Sequence, residues 1–148
     1  MSPRSGPRAT SCTPADARQR RQQARASLEA ADLMLDDISD SAHAHVAAAL
    51  AVLAGTAASD AISGLRLGRY ARGQDHQQAI QLLESVDPID RNLPGRFRRL
   101  LSAKNQADYS PHLMTASDAR ALIHLARSIV DVADTLRSGT GDNRSGRG

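Results

Sequence analysis

The segment from Ser41 to Gly68 constrains this chain most. It is a proline-free run dominated by Ala, with Val, Leu and Ile, and it ends on a glycine. A run of that length and propensity predicts one long helix. Val46, Leu50, Leu53, Ala57, Ala61 and Leu65 fall at helical spacing and predict its inward face. Asp60 and Gly64 share that face. A carboxylate so placed costs several kcal/mol unless it is paired or protonated. Asp60 is therefore expected to have a partner, either to fix the bundle or to support a site. Gly55 and Gly64 predict notches where another helix approaches closely. A basic turn from Arg69 to Gln74 follows, and a new helix starts at His76 with Asp75 as its cap.

A helix this rich in alanine needs neighbours of the same kind. The whole chain has only three aromatic residues, Tyr70, Phe97 and Tyr109, in 148. A core of Ala, Leu, Ile and Val suits packed helices and gives little material for a sheet. It also excludes the aromatic platforms on which single-strand binders stack bases. The expected architecture is all-α: a single up-and-down bundle of about five helices over residues 15–137. The ends, 1–14 and 138–148, are rich in Ser, Pro, Arg and Gly and are expected to be disordered tails.

The first helix is expected from Pro14 or Asp16 to Ile38, capped by Thr13 or Asp16. Its basic start and its acidic end at Asp36 and Asp37 oppose the helix dipole, which predicts a frayed start. The third helix runs to Val86 and stops before Asp87-Pro88. The fourth starts at Pro94 and reaches Tyr109, with Phe97, Leu100, Leu101 and Ala107 inward and Arg96, Arg98 and Arg99 outward. Lys104 lies beside that inward stripe, and Asp108 four residues on can pair with it. The fifth starts after Thr115 or Ser117 and buries Ala119, Leu122, Ala126, Ile129, Ala133 and Leu136. His124, Arg127, Asp131 and Asp134 form its outer face.

Charge and cysteine usage narrow the partners. The formal net charge is +3, and every basic residue but Lys104 is arginine. GC-rich codon usage and phosphate binding both account for that, and they are compatible. Cys12 is the lone cysteine; it allows no internal disulfide and has no neighbours for a metal site. No apolar run is expected to reach the ~20 residues that span a bilayer, and the N-terminus lacks an apolar signal segment. A cytoplasmic protein without a membrane partner is expected. His43 and His45 at i and i+2 make a poor metal pair.

Short connections make antiparallel neighbours. One pole of such a bundle then collects Asp60, Arg69, Arg72, Asp75, His76, Lys104, Asp108, Tyr109 and His112. The other collects Asp36, Asp37, Asp87 and Asp90 with Arg91. Arg and His together can cleave RNA without a metal: the histidine moves the 2′-hydroxyl proton and the cation holds the phosphate. No P-loop, Rossmann glycine pattern or zinc spacing is present, and no cofactor is implied.

Two stretches carry a resemblance. One is Ser59-Asp60-Ala61-Ile62 in an apolar helix followed by Arg72-Gly73-Gln74-Asp75-His76. The other is Lys104-Asn105-Gln106-Ala107-Asp108-Tyr109 followed by Ser117-Asp118-Ala119-Arg120-Ala121 and an apolar helix. Together they resemble the HEPN domain over about Asp32 to Arg137. HEPN domains are small helical bundles, often homodimers. Many are metal-independent RNases of toxin–antitoxin and defence systems, and others are non-catalytic binding modules. The family signature is Arg, a polar residue, four to six residues, then His. Arg69 with His76 has the spacing but lies at the junction of helices two and three. Lys104-Asn105 with His112 lies at the expected place but has Lys for Arg. The resemblance implies RNA or nucleotide as ligand, an antitoxin as partner and His76 as acid/base. Arg69 and Arg72 would be phosphate ligands and Asp75 or Asp60 orienting acids. Lys104, Tyr109 and His112 would line the pocket, with Asp108 as polar support.

Overall fold

The structure, a computed structural model, describes residues 9–36, 40–73, 75–86, 90–109 and 114–147, with side chains to 105 in the fourth helix and to 136 in the fifth. Five helices form the bundle: α1 (Pro14–Leu35), α2 (Ser41–Leu67), α3 (His76–Ser85), α4 (Leu93–Tyr109) and α5 (Ala116–Arg147). Two short strands, β1 (Ala9–Ser11) and β2 (Arg69–Ala71), join them. The protein is an all-α helical bundle with one two-stranded accessory.

Each start follows from a local hydrogen bond. Thr13 caps α1 in a full capping box: the Asp16 N–H donates to Thr13 Oγ1 at 3.1 Å, and the Thr13 N–H donates to Asp16 Oδ2 at 3.0 Å. The expected frayed start is therefore corrected. Two backbone donors are satisfied and a carboxylate stands at the positive helix end, which outweighs the basic residues that follow. Thr115 and Asp118 repeat the device on α5. Asp40 caps α2 through the His43 N–H. Gly68 ends α2 in the left-handed conformation that glycine adopts without strain.

α2 is the central element, and α1 and α5 pack along it. α1 runs antiparallel to both. Near its start, Ala17 and Cys12 approach Gly64 of α2, and Arg20 approaches Asp60. On its other side, Arg21 and Arg25 pair with Asp134, and Asp32 pairs with Arg127. Several of the charges expected on the outer face of α5 thus meet α1. The buried stripe of α5 is the expected one, with Ile123 and Val130 added. α4 crosses α2 where Leu100 fills the notch at Gly55. Phe97, fully buried, is the largest side chain in the core.

The inward face of α2 differs from expectation. Val46 and Leu53 are 50% and 58% exposed, and Leu50 is half-buried. Ala44, Ala47, Ala51, Ala54, Ala58 and Ala61 are fully buried instead. Interaxial distance depends on the side chains at the contact, so closely packed neighbours take the alanine face and leave the bulky residues outside. By length and composition, α2 is also apolar enough to cross a membrane, contrary to expectation; 61% of its most apolar window is buried inside the bundle.

Both tail boundaries shift as well. Residues 9–11 pair antiparallel with β2, Ala9 opposite Ala71 and Ser11 opposite Arg69. The pairing gives this stretch backbone partners that composition does not reveal. At the other end, the α5 backbone continues to Arg147. No proline interrupts it, and each added residue gains a helical hydrogen bond.

Candidate functional site

His76 opens α3, and its position follows from the residue before it. Asp75 takes the N-cap place, where its Oδ1 accepts the Gln78 N–H at 2.9 Å. The Asp75 carboxylate is therefore engaged with the helix start. His76 is half-buried. Desolvation pushes its pKa below the usual histidine value, the positive charge of Lys104 pushes the same way, and Asp75 opposes them. Its imidazole is thus neutral near neutral pH, with a cation in its field. A neutral imidazole can accept a proton, and an ammonium can hold a phosphate oxygen.

Lys104 comes from the last turns of α4. It lies beside the buried stripe, as its spacing from Phe97 and Leu101 implies. It also lines a cavity of about 290 Å³ with His45, Val52, Leu53, Met114 and Leu122. His45 was set aside as half of a poor metal pair, and the structure brings it to this cavity. Its signal in the sequence was its place seven residues before Val52 on one helix face.

The charges of Lys104 and Asp75 both act on His76, whereas Arg69, Arg72 and Asp60 do not. Arg69 lies on β2 and Arg72 just after it; both are exposed, and neither contributes to the field at His76. Asp60 does not reach His76 either. It faces α1, where Arg20 Nε is 3.9 Å from its Oδ2. That is too long to offset burial, and desolvation raises the Asp60 pKa to about 7 despite Arg20. Asp60 is thus not placed to orient the histidine, whereas Asp75 adjoins it and acts on its titration. One acid is held against α1 and the other caps α3. The side chains of Asp108 and Tyr109, and His112 altogether, lie outside the described residues.

Around Asp60 stands a second cluster that the sequence did not announce. The Arg20 guanidinium lies 4.9 Å from the centre of the Tyr70 ring and donates to the Tyr70 hydroxyl at 3.5 Å. Cys12 is buried alongside, against Gly64. Burial, followed by Asp16 and Asp60, raises its thiol pKa above the usual value. A protonated, buried thiol is a poor nucleophile, so this cluster joins β1, α1, α2 and β2 structurally. Among the described residues, no three His, Cys, Asp or Glu side chains converge as a metal site. Comparison with known protein families, with curated proteins and with solved structures finds no match to this chain.

Proposed function

We propose that this chain is a HEPN-type endoribonuclease that cuts RNA without a metal, in a toxin–antitoxin or defence setting. The observation that supports it is the neutral, half-buried His76 in the field of Lys104. In this mechanism His76 takes the proton from a 2′-hydroxyl. The 2′-oxygen bonds to phosphorus, the bond to the 5′-oxygen breaks, and that oxygen takes a proton from water. Lys104 holds the charge that builds on the phosphate. The role first assigned to Arg69 and Arg72 passes to Lys104. A homodimer belongs to the same proposal: Ala42, Val46, Ala49 and Leu53 are all exposed and follow a three-four spacing along α2, a seam that a second copy would cover.

The test is cleavage of total RNA by purified protein in EDTA, with His76→Ala alongside. The wild type is expected to cut and the variant to lose cutting by at least about a hundredfold. The acid limb of the pH profile is expected below the ordinary histidine value, and Lys104→Ala is expected to move it upward by removing a like charge. An inactive, well-folded wild type would sink the nuclease reading. One observation favours a second reading, a non-catalytic module that binds RNA. Asp60 and Asp75, the acids expected to support catalysis, are engaged with α1 and with the start of α3.

A further inference from the structure

A groove of about 810 Å³ opens where the start of α4 passes α5. Arg91, Arg96, Arg98 and Arg99 line it, with His124 from α5 and one acid, Glu84, from α3. The charges are unevenly matched. Arg96 pairs with Asp90 at 2.6 Å, and Arg98 pairs with Glu84 at 2.6 Å. Those pairs hold two guanidinium groups against the wall. Arg91 and Arg99 are exposed, and neither forms an ion pair among the described residues. Pro94 and Gly95, in the first turn of α4, also line the groove, so the positive end of that helix adds to the field.

We infer that this groove binds the phosphate backbone of RNA. Guanidinium forks match phosphate oxygens in pairs, as a lysine cannot. Among the described residues the groove offers no aromatic face: Phe97 in the same helix is fully buried. Recognition there is through phosphates, insensitive to base sequence and steeply dependent on salt. His124, from α5, also lines the groove and offers a further hydrogen-bond donor to phosphate or sugar. The inference rests on the reading that RNA is the ligand, and it does not need cleavage.

The experiment measures anisotropy of a fluorescein-labelled single-stranded RNA, titrated with protein across roughly 50 to 200 mM salt. His76→Ala is the carrier, so that the probe stays intact. Arg91→Ala/Arg99→Ala in that carrier is expected to weaken binding about tenfold or more at the low end. Its slope of log affinity against log salt is expected to flatten by about 1.4, the value for two single-strand phosphate contacts. Arg99→Glu alone is expected to weaken binding in the same direction, and exposed Arg120→Ala to leave it unchanged. Equal binding by the carrier and the double variant overturns the groove, as does absence of RNA binding at low salt. Groove-dependent binding beside a wild type that does not cut keeps this inference and removes only the nuclease reading.

Discussion

The α1–α5 seam and the α4 groove both carry arginines, and they use them in opposite ways. In the seam, Arg21 and Arg25 converge on Asp134, and Arg127 reaches Asp32. Arg21 and Asp134 keep only 16% and 30% of their side-chain surface in solvent. In the groove, Asp90 and Glu84 hold two of four arginines, and Arg91 and Arg99 stay exposed. Matched, half-buried charge fixes two helices against each other. Excess, exposed charge leaves guanidinium groups open to solvent. Arginine content alone does not separate these uses; the carboxylate opposite each guanidinium does.

The largest effect expected on the closed side belongs to its one poorly compensated acid. The Asp60 carboxyl ordinarily titrates near 3.8 and in the folded protein near about 7. Between those values the folded state keeps a proton that the unfolded state has released. The stability from this group is therefore fully present below 3.8 and is lost as pH rises through about 7, a decline on the order of 4 kcal/mol. Urea titrations at about pH 5 and about pH 8 are expected to show that decline in wild type and not in Asp60→Asn. A flat wild-type profile would mean that Arg20 compensates Asp60 fully.

Asp134→Ala comes next. It leaves Arg21 and Arg25 without their shared acceptor and is expected to cost about 1–2 kcal/mol. An unchanged urea midpoint would reduce the seam to surface decoration. Thr13→Ala removes one half of the α1 capping box and is expected to cost about 1 kcal/mol by the same measurement. The smallest effect belongs to the groove. Arg91→Ala/Arg99→Ala is expected to change stability by less than about 0.5 kcal/mol while it alters ligand binding. A large loss of stability there would erase the contrast between the two regions.

The sequence revealed helix ends better than helix faces. Thr13, Asp75 and Thr115 are chemical caps, and the backbone donors they satisfy leave little choice of position. The inward stripe of α5 was legible because leucines and isoleucines alternate with charges along it. On α2 alanine occurs all round, so period and amplitude no longer distinguish faces, and the bulky Val46 and Leu53 misled. Helix directions were only partly legible: α1 runs antiparallel to α5 as well as to α2, so α2 and α5 run the same way rather than strictly up and down. The partner of Asp60 was not legible, because Arg20 lies 40 positions earlier in a helix whose rotation is set only by packing. The groove was half legible: Arg96, Arg98 and Arg99 were expected outside, but their convergence with His124 depends on how α4 crosses α5.

The small β1–β2 ribbon has a mechanical consequence. β2 is bracketed by Gly68 and Gly73, both with positive φ, a backbone conformation that other residues rarely adopt. What steers it is the ladder to residues 9–11 and the bond from the Cys12 N–H to the Gly68 carbonyl at 2.9 Å. Only five positions separate Ala71 from His76. Residues 9–11 thus hold β2 in place from far away in the sequence. Trimming the protein past Ser11, or fusing a bulky tag there, is expected to loosen the strand that leads toward His76.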